Sequence, residues 1–133
     1  MSSYEEKLGI LSEMIAFART ENGIKTAEYN FLLSVADGLG VDRETFHGLL
    51  KHKVDRPVLS TVADRILQFH RLVLLMNVDG INTEVEISRL YNVGLGMGLP
   101  PSAIEQVLVV MHRYPYKIVP PEVLISIFKA HYN

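Results

Sequence analysis

Asn22-Gly23-Ile24-Lys25-Thr26 in the first half of the chain returns in the second half as Asp79-Gly80-Ile81-Asn82-Thr83. Each stretch sets a Gly, which accepts the left-handed backbone at a helix end, before a Thr suited to cap the next helix. One extra residue in the second copy brings Glu28 onto Glu86, and the register then holds. Leu39-Gly40-Val41 falls on Met97-Gly98-Leu99, Phe46 on Ile104, and Leu50 on Leu108. Each copy reads as helix, Gly turn, Thr-capped helix, second Gly turn and short helix. The expected fold is all-α, a compact bundle of about seven helices formed from two pseudo-symmetric helix–loop–helix units, since two copies are too few for a solenoid.

The rest of the chain extends this pattern. Ser3 with Glu6 predicts a capping box, opening a first helix whose apolar stripe is Tyr4, Leu8, Leu11, Ile15 and Ala18. Asp42 suits the cap of a short third helix bearing Phe46, Leu49 and Leu50. Pro57 suits the first turn of a fourth, running from Val58 to Val78, with the Ser at 60 also read as a cap. Its run Leu72-Val73-Leu74-Leu75-Met76 implies burial on every face, which marks a central helix. Thr83 with Glu86 and Ser102 with Glu105 predict two further capping boxes. Gly94, Gly96 and Gly98 predict an irregular or tightly packed end to the fifth helix. One domain, 1–133, is expected, with units about 4–52 and 58–112 and a C-terminal helix about 120–132 carrying Val123, Leu124, Ile127 and Phe128.

Composition narrows the function classes. Apolar residues make up 48% and charged ones 21% of the 133 positions, the balance of an ordinary folded domain. A formal net charge of −2 argues against non-specific nucleic-acid binding, which needs a clustered positive surface. The groupings Lys51-His52-Lys53 with Arg56, and Arg65 with Arg71, are interrupted and read as solvated surface. The absence of Cys excludes disulfides, thiolate nucleophiles and Cys-ligated zinc. Met1-Ser2-Ser3-Tyr4-Glu5-Glu6 lacks the order of a signal peptide, and no apolar run approaches the about 20 residues of a membrane span. A cytoplasmic protein without membrane contact is the expectation.

The pattern of Asp-Gly, an apolar residue, a capping residue and Glu, then a Leu-Gly-Leu-like turn, resembles the TerB-like family over roughly Leu8 to Leu108. That resemblance implies an all-helical domain with duplicated units, in which acidic residues of the Asp-Gly loop hold a metal ion. Asp79, Gly80 and Glu86 match the motif. The first copy departs from it, with Asn22 in place of the Asp and Glu28 one residue early. Asp79 and Glu86 are therefore the expected divalent-metal ligands, joined by Asn82 and Glu84 as further hard oxygen donors. The spacing is not that of an EF-hand, since the twelfth position from Asp79 is Leu90. The same residues read first as a helix start, with Glu86 in a capping box, Glu84 favoured by the helix dipole and Asp79 suited to a turn.

Catalytic patterns are missing. The histidines at 47, 52, 70, 112 and 131 form no zinc motif, and His70 reads as a core histidine bonded to a backbone carbonyl or an acid. No Gly-x-Ser-x-Gly elbow occurs, and Gly94-Leu95-Gly96-Met97-Gly98 lacks the Lys-Ser/Thr of a phosphate loop. The Tyr-rich and Pro-rich tail from Tyr114 to Tyr132 reads as a packed helix before it reads as a partner surface. The sequence thus predicts a non-catalytic binding or scaffold domain without a resident cofactor, engaging an unknown protein partner or a second copy of itself. The alternative is a metal-ion-binding stress-response or sensor protein using the acidic loop of the second copy.

Overall fold

The computed structural model describes residues 3–132; Met1, Ser2 and Asn133, with the first residues of the signal-peptide reading, lie outside them. Seven α-helices form among the described residues: α1 (Tyr4–Ala18), α2 (Thr26–Leu39), α3 (Arg43–Lys51), α4 (Val62–Asn77), α5 (Glu84–Gly96), α6 (Pro101–Val110) and α7 (Pro121–His131). The only bridge between extended residues there is Thr20 with Gly23. No described helix is long and apolar enough to cross a membrane. The chain divides into two units, one ending at Ser60 and the next beginning at Thr61.

In the first unit α1 packs on α2 and α3. The Ser3 hydroxyl accepts the Glu6 amide and caps α1, the Ser3 half of the predicted box. Burial is broader than the predicted stripe. Tyr4 is exposed, whereas Ile10, Leu11, Met14, Ile15, Phe17 and Ala18 are all buried. The extended chain after α3 also lies on α1 at Gly9 and Ser12. The Ser12 hydroxyl donates to the Val54 carbonyl (3.1 Å) and accepts the Val54 amide (3.0 Å). Beside it, Gly9 leaves room for the backbone of Asp55 and Pro57, which a Cβ would meet at 2.9–3.1 Å. Pro57 therefore does not begin a helix; it lies in this extended stretch.

The second unit opens at Thr61, whose hydroxyl accepts the Asp64 amide and caps α4. The fourth helix thus starts four residues later than predicted. Ser60 is not its cap, and Val58 is 88% exposed. The physical reason is that Thr61-Val62-Ala63-Asp64 supplies both a capping hydroxyl and an acid in the first turn, which Pro57 does not. Leu72, Val73, Leu75 and Met76 are buried as expected, whereas Leu74 is only half-buried, so burial does not extend to every face. Their helix packs with α5, α5 with α6, and α6 with α7. Phe69 of α4 meets Phe128 of α7 edge-on, with ring centroids 6.0 Å apart.

Two further caps differ from the sequence reading. Thr26 is the first residue of α2 rather than its cap; Lys25 holds that position without a side-chain hydrogen bond. Ser102 lies inside the first turn of α6, where Pro100 takes the cap position, so no box forms with Glu105. The Gly turns hold. Gly23, Gly40, Gly80 and Gly98 have φ of 89°, 76°, 76° and 79°. After α2, Val41 donates to Ala36 and Gly40 to Asp37; after α5, Leu99 donates to Gly94 and Gly98 to Leu95. Both are the paired bonds of a Schellman motif, with Val41 and Leu99 buried behind them.

Candidate functional site

The acidic loop of the second unit is occupied by its own hydrogen bonds. Thr83 and Glu86 form the full reciprocal box: the Thr83 hydroxyl accepts the Glu86 amide (3.1 Å), and the Glu86 carboxylate accepts the Thr83 amide (3.1 Å). The Asp79 carboxylate accepts the Ile81 amide across the turn (3.1 Å). The Asn82 carbonyl oxygen accepts from the Lys117 ammonium (2.5 Å), while its amide donates to Asn77 (2.6 Å). Glu84 sits in the first turn of α5, where its charge faces the helix dipole. Among the described residues no three His, Asp or Glu side chains gather to hold a metal ion. An ammonium on Asn82 also opposes a cation there.

This polar seam continues inward, since the buried Asn77 amide faces the Met111 sulfur at 3.5 Å. Its outer end is strained. Tyr116 and Lys117 both have positive φ, 57° and 58°, which non-glycine residues adopt only at a cost. The Lys117–Asn82 bond helps to hold that turn.

A Ser–His–Gln chain was missed by the sequence reading. The Ser102 hydroxyl lies 2.9 Å from His131 Nδ1, and His131 Nε2 lies 3.0 Å from the Gln106 side-chain oxygen. In the tautomer with the ring proton on Nε2, that nitrogen donates to Gln106 and Nδ1 accepts from Ser102. The order resembles a nucleophile, base and orienting group. The orienting group is a neutral amide, which does not stabilise an imidazolium as a carboxylate does. The neighbouring amides of Ala103 and Ile104 both donate to the Pro100 carbonyl, so neither is free for an oxyanion. The chain ties the start of α6 to the end of α7.

An apolar groove of about 520 Å³ lies between α4 and α7. From α4 it takes Val62, Ala63, Ile66, Leu67 and His70. From α7 it takes Pro121, Leu124, Ile125, Phe128, Lys129 and Tyr132. Val62, Leu67, Ile125 and Tyr132 are each between 40% and 48% exposed. Apolar residues at three-to-four spacing usually bury themselves; here two helices turn part of that face to solvent. His70 differs from its sequence reading: Nδ1 is buried without a hydrogen-bond partner. Burial first, and the Arg71 charge second, hold its titration below the ordinary value of 6.5, so the wall carries a neutral imidazole near neutral pH. Lys129 is the one charged residue among those named.

Comparison with protein-family models, with curated proteins and with solved structures finds no match to this chain.

Proposed function

We propose that this protein is a non-catalytic helical binding domain whose working surface is the α4–α7 groove. The observation that carries this reading is the exposure of Val62, Leu67, Ile125 and Tyr132 around one cavity. Covering the exposed 40–48% of such side chains is worth about half of the 1.5–3 kcal/mol that full burial of each would give, a gain that a docked apolar group supplies. The Ser102–His131–Gln106 chain supports the non-catalytic part. It lines no wall of this groove and lacks a charged orienting group. The TerB-like character of the domain, with its duplicated units, rests on the motif residues from Asn22 to Glu28 and from Asp79 to Glu86.

The test is a paired substitution, Leu67→Asp with Ile125→Asp, on opposite walls. Both side chains are nearly half exposed, so the helical circular-dichroism spectrum should persist. A partner that co-purifies with the native protein should be lost from the variant. Retention of that partner at native stoichiometry removes the groove from the reading.

A further inference from the structure

Among the described asparagines, Asn22 alone is followed by glycine. Asn30 and Asn92 are fixed inside α2 and α5, Asn77 is buried at the end of α4, and Asn82 is bonded to Asn77 and Lys117. Asn22 and Gly23, by contrast, are both exposed in the turn between α1 and α2. Among the described residues the Asn22 side-chain amide has no hydrogen-bond partner. A glycine in the next position has no Cβ to shield its backbone nitrogen from the asparagine Cγ.

The turn opposes that approach. Gly23 N–H donates to the Thr20 carbonyl and Thr20 N–H to the Gly23 carbonyl, both at 3.0 Å. The Thr20 hydroxyl donates to the Gly23 carbonyl (3.1 Å) and accepts the Asn22 amide (3.3 Å). Attack requires the Gly23 nitrogen to lose its proton and move onto Cγ, which breaks its bond to Thr20.

We propose that Asn22 is a site of spontaneous deamidation, paced by the Thr20–Gly23 clasp. The deprotonated Gly23 nitrogen forms a bond to Asn22 Cγ, the bond from Cγ to the side-chain nitrogen breaks, and ammonia leaves. Water then opens the resulting succinimide at either carbonyl, giving aspartate or isoaspartate. The net change is one amide and one water to one carboxylate and one ammonium, with no oxidant or reductant. The aspartate product gives the first unit the Asp-Gly-Ile of the second, where the Asp79 carboxylate accepts the Ile81 amide.

The test incubates the full chain in mildly alkaline buffer, folded and in guanidinium chloride, and follows it by anion exchange and peptide mass mapping. Asn22 should be the first asparagine to convert in both. The folded protein should convert roughly fivefold more slowly, the rate equivalent of one net hydrogen bond. Thr20→Val keeps the side-chain shape and removes both hydroxyl bonds. It should speed the folded reaction, at an unchanged circular-dichroism spectrum, and leave the unfolded rate alone. Asn22→Gln, whose longer side chain closes the ring far less readily, should lack the early acidic species. Conversion of another asparagine first removes Asn22 as the site. So does an unmodified Asn22 in the folded protein when the unfolded chain has fully converted. Equal rates in the folded and unfolded chain, or a Thr20→Val protein that reacts at the native rate, overturn the role of the clasp.

Discussion

At the scale of single residues, small side chains decide where backbone can lie. Gly9 and Gly38 both sit in helices, yet only Gly9 has neighbours at its missing Cβ, and all three are backbone atoms of Asp55 and Pro57. Backbone cannot turn aside as a side-chain tip can, so Gly9→Ala should destabilise the protein by about 1–3 kcal/mol despite its better helix propensity. Gly38 faces open space at an ordinary φ, and Gly38→Ala should add about 0.5–1 kcal/mol. Urea unfolding of the two variants should therefore move in opposite directions. His70 makes a pH-dependent case. The unfolded chain takes up a proton near 6.5, and the native protein only at lower pH. Its contribution is therefore full above 6.5, declines as pH falls through that value, and levels off below the native one. Unfolding curves measured from about pH 8 to about pH 5 should show a shallower decline in His70→Gln than in the native protein. An equal decline in both would assign the pH dependence to other groups.

At the scale of elements, helix starts distinguish what a sequence displays from what it conceals. Ser3, Asp42 and Thr83 cap where their motifs predict, because the capping interaction is local and its partner lies three residues on. Asp42 accepts the backbone amide of Thr45 and, in second place, its side chain, which together hold its carboxyl below the usual range. Pro57 and Ser102 mislead for one shared reason, that tertiary partners claim them. Pro57 lies on Gly9, and the Ser102 hydroxyl is taken by His131. Thr61→Ala should accordingly cost about 1 kcal/mol as a lost cap, and Ser60→Ala less than about 0.5 kcal/mol. A thermal melt that ranks them the other way would return the start of α4 to Ser60. The groove was hidden for the same reason. Residues of α4 and α7 are distant in sequence, and nothing local says that Leu67 and Ile125 share a cavity.

At the scale of the whole chain, the all-helical architecture was legible because periodicity, caps and glycine turns agree with one another along its length. The metal reading rested on the resemblance of the Asp79-Gly80 loop and on residue types; in the fold Glu86, Asp79 and Asn82 accept hydrogen bonds from Thr83, Ile81 and Lys117. What the two Schellman turns share goes further than their glycines. Asp37-Gly38-Leu39-Gly40 and Leu95-Gly96-Met97-Gly98 end their helices with the same bonds and the same handedness, each followed by a buried aliphatic residue. Exchanging the two tetrapeptides should leave stability within about 1 kcal/mol of the native protein, whereas Gly40→Ala or Gly98→Ala, which puts a side chain on a left-handed backbone, should cost about 1–2 kcal/mol. If the exchange is tolerated, the unit of construction is smaller than a domain, and loop grafting at those two sites is the engineering route it opens.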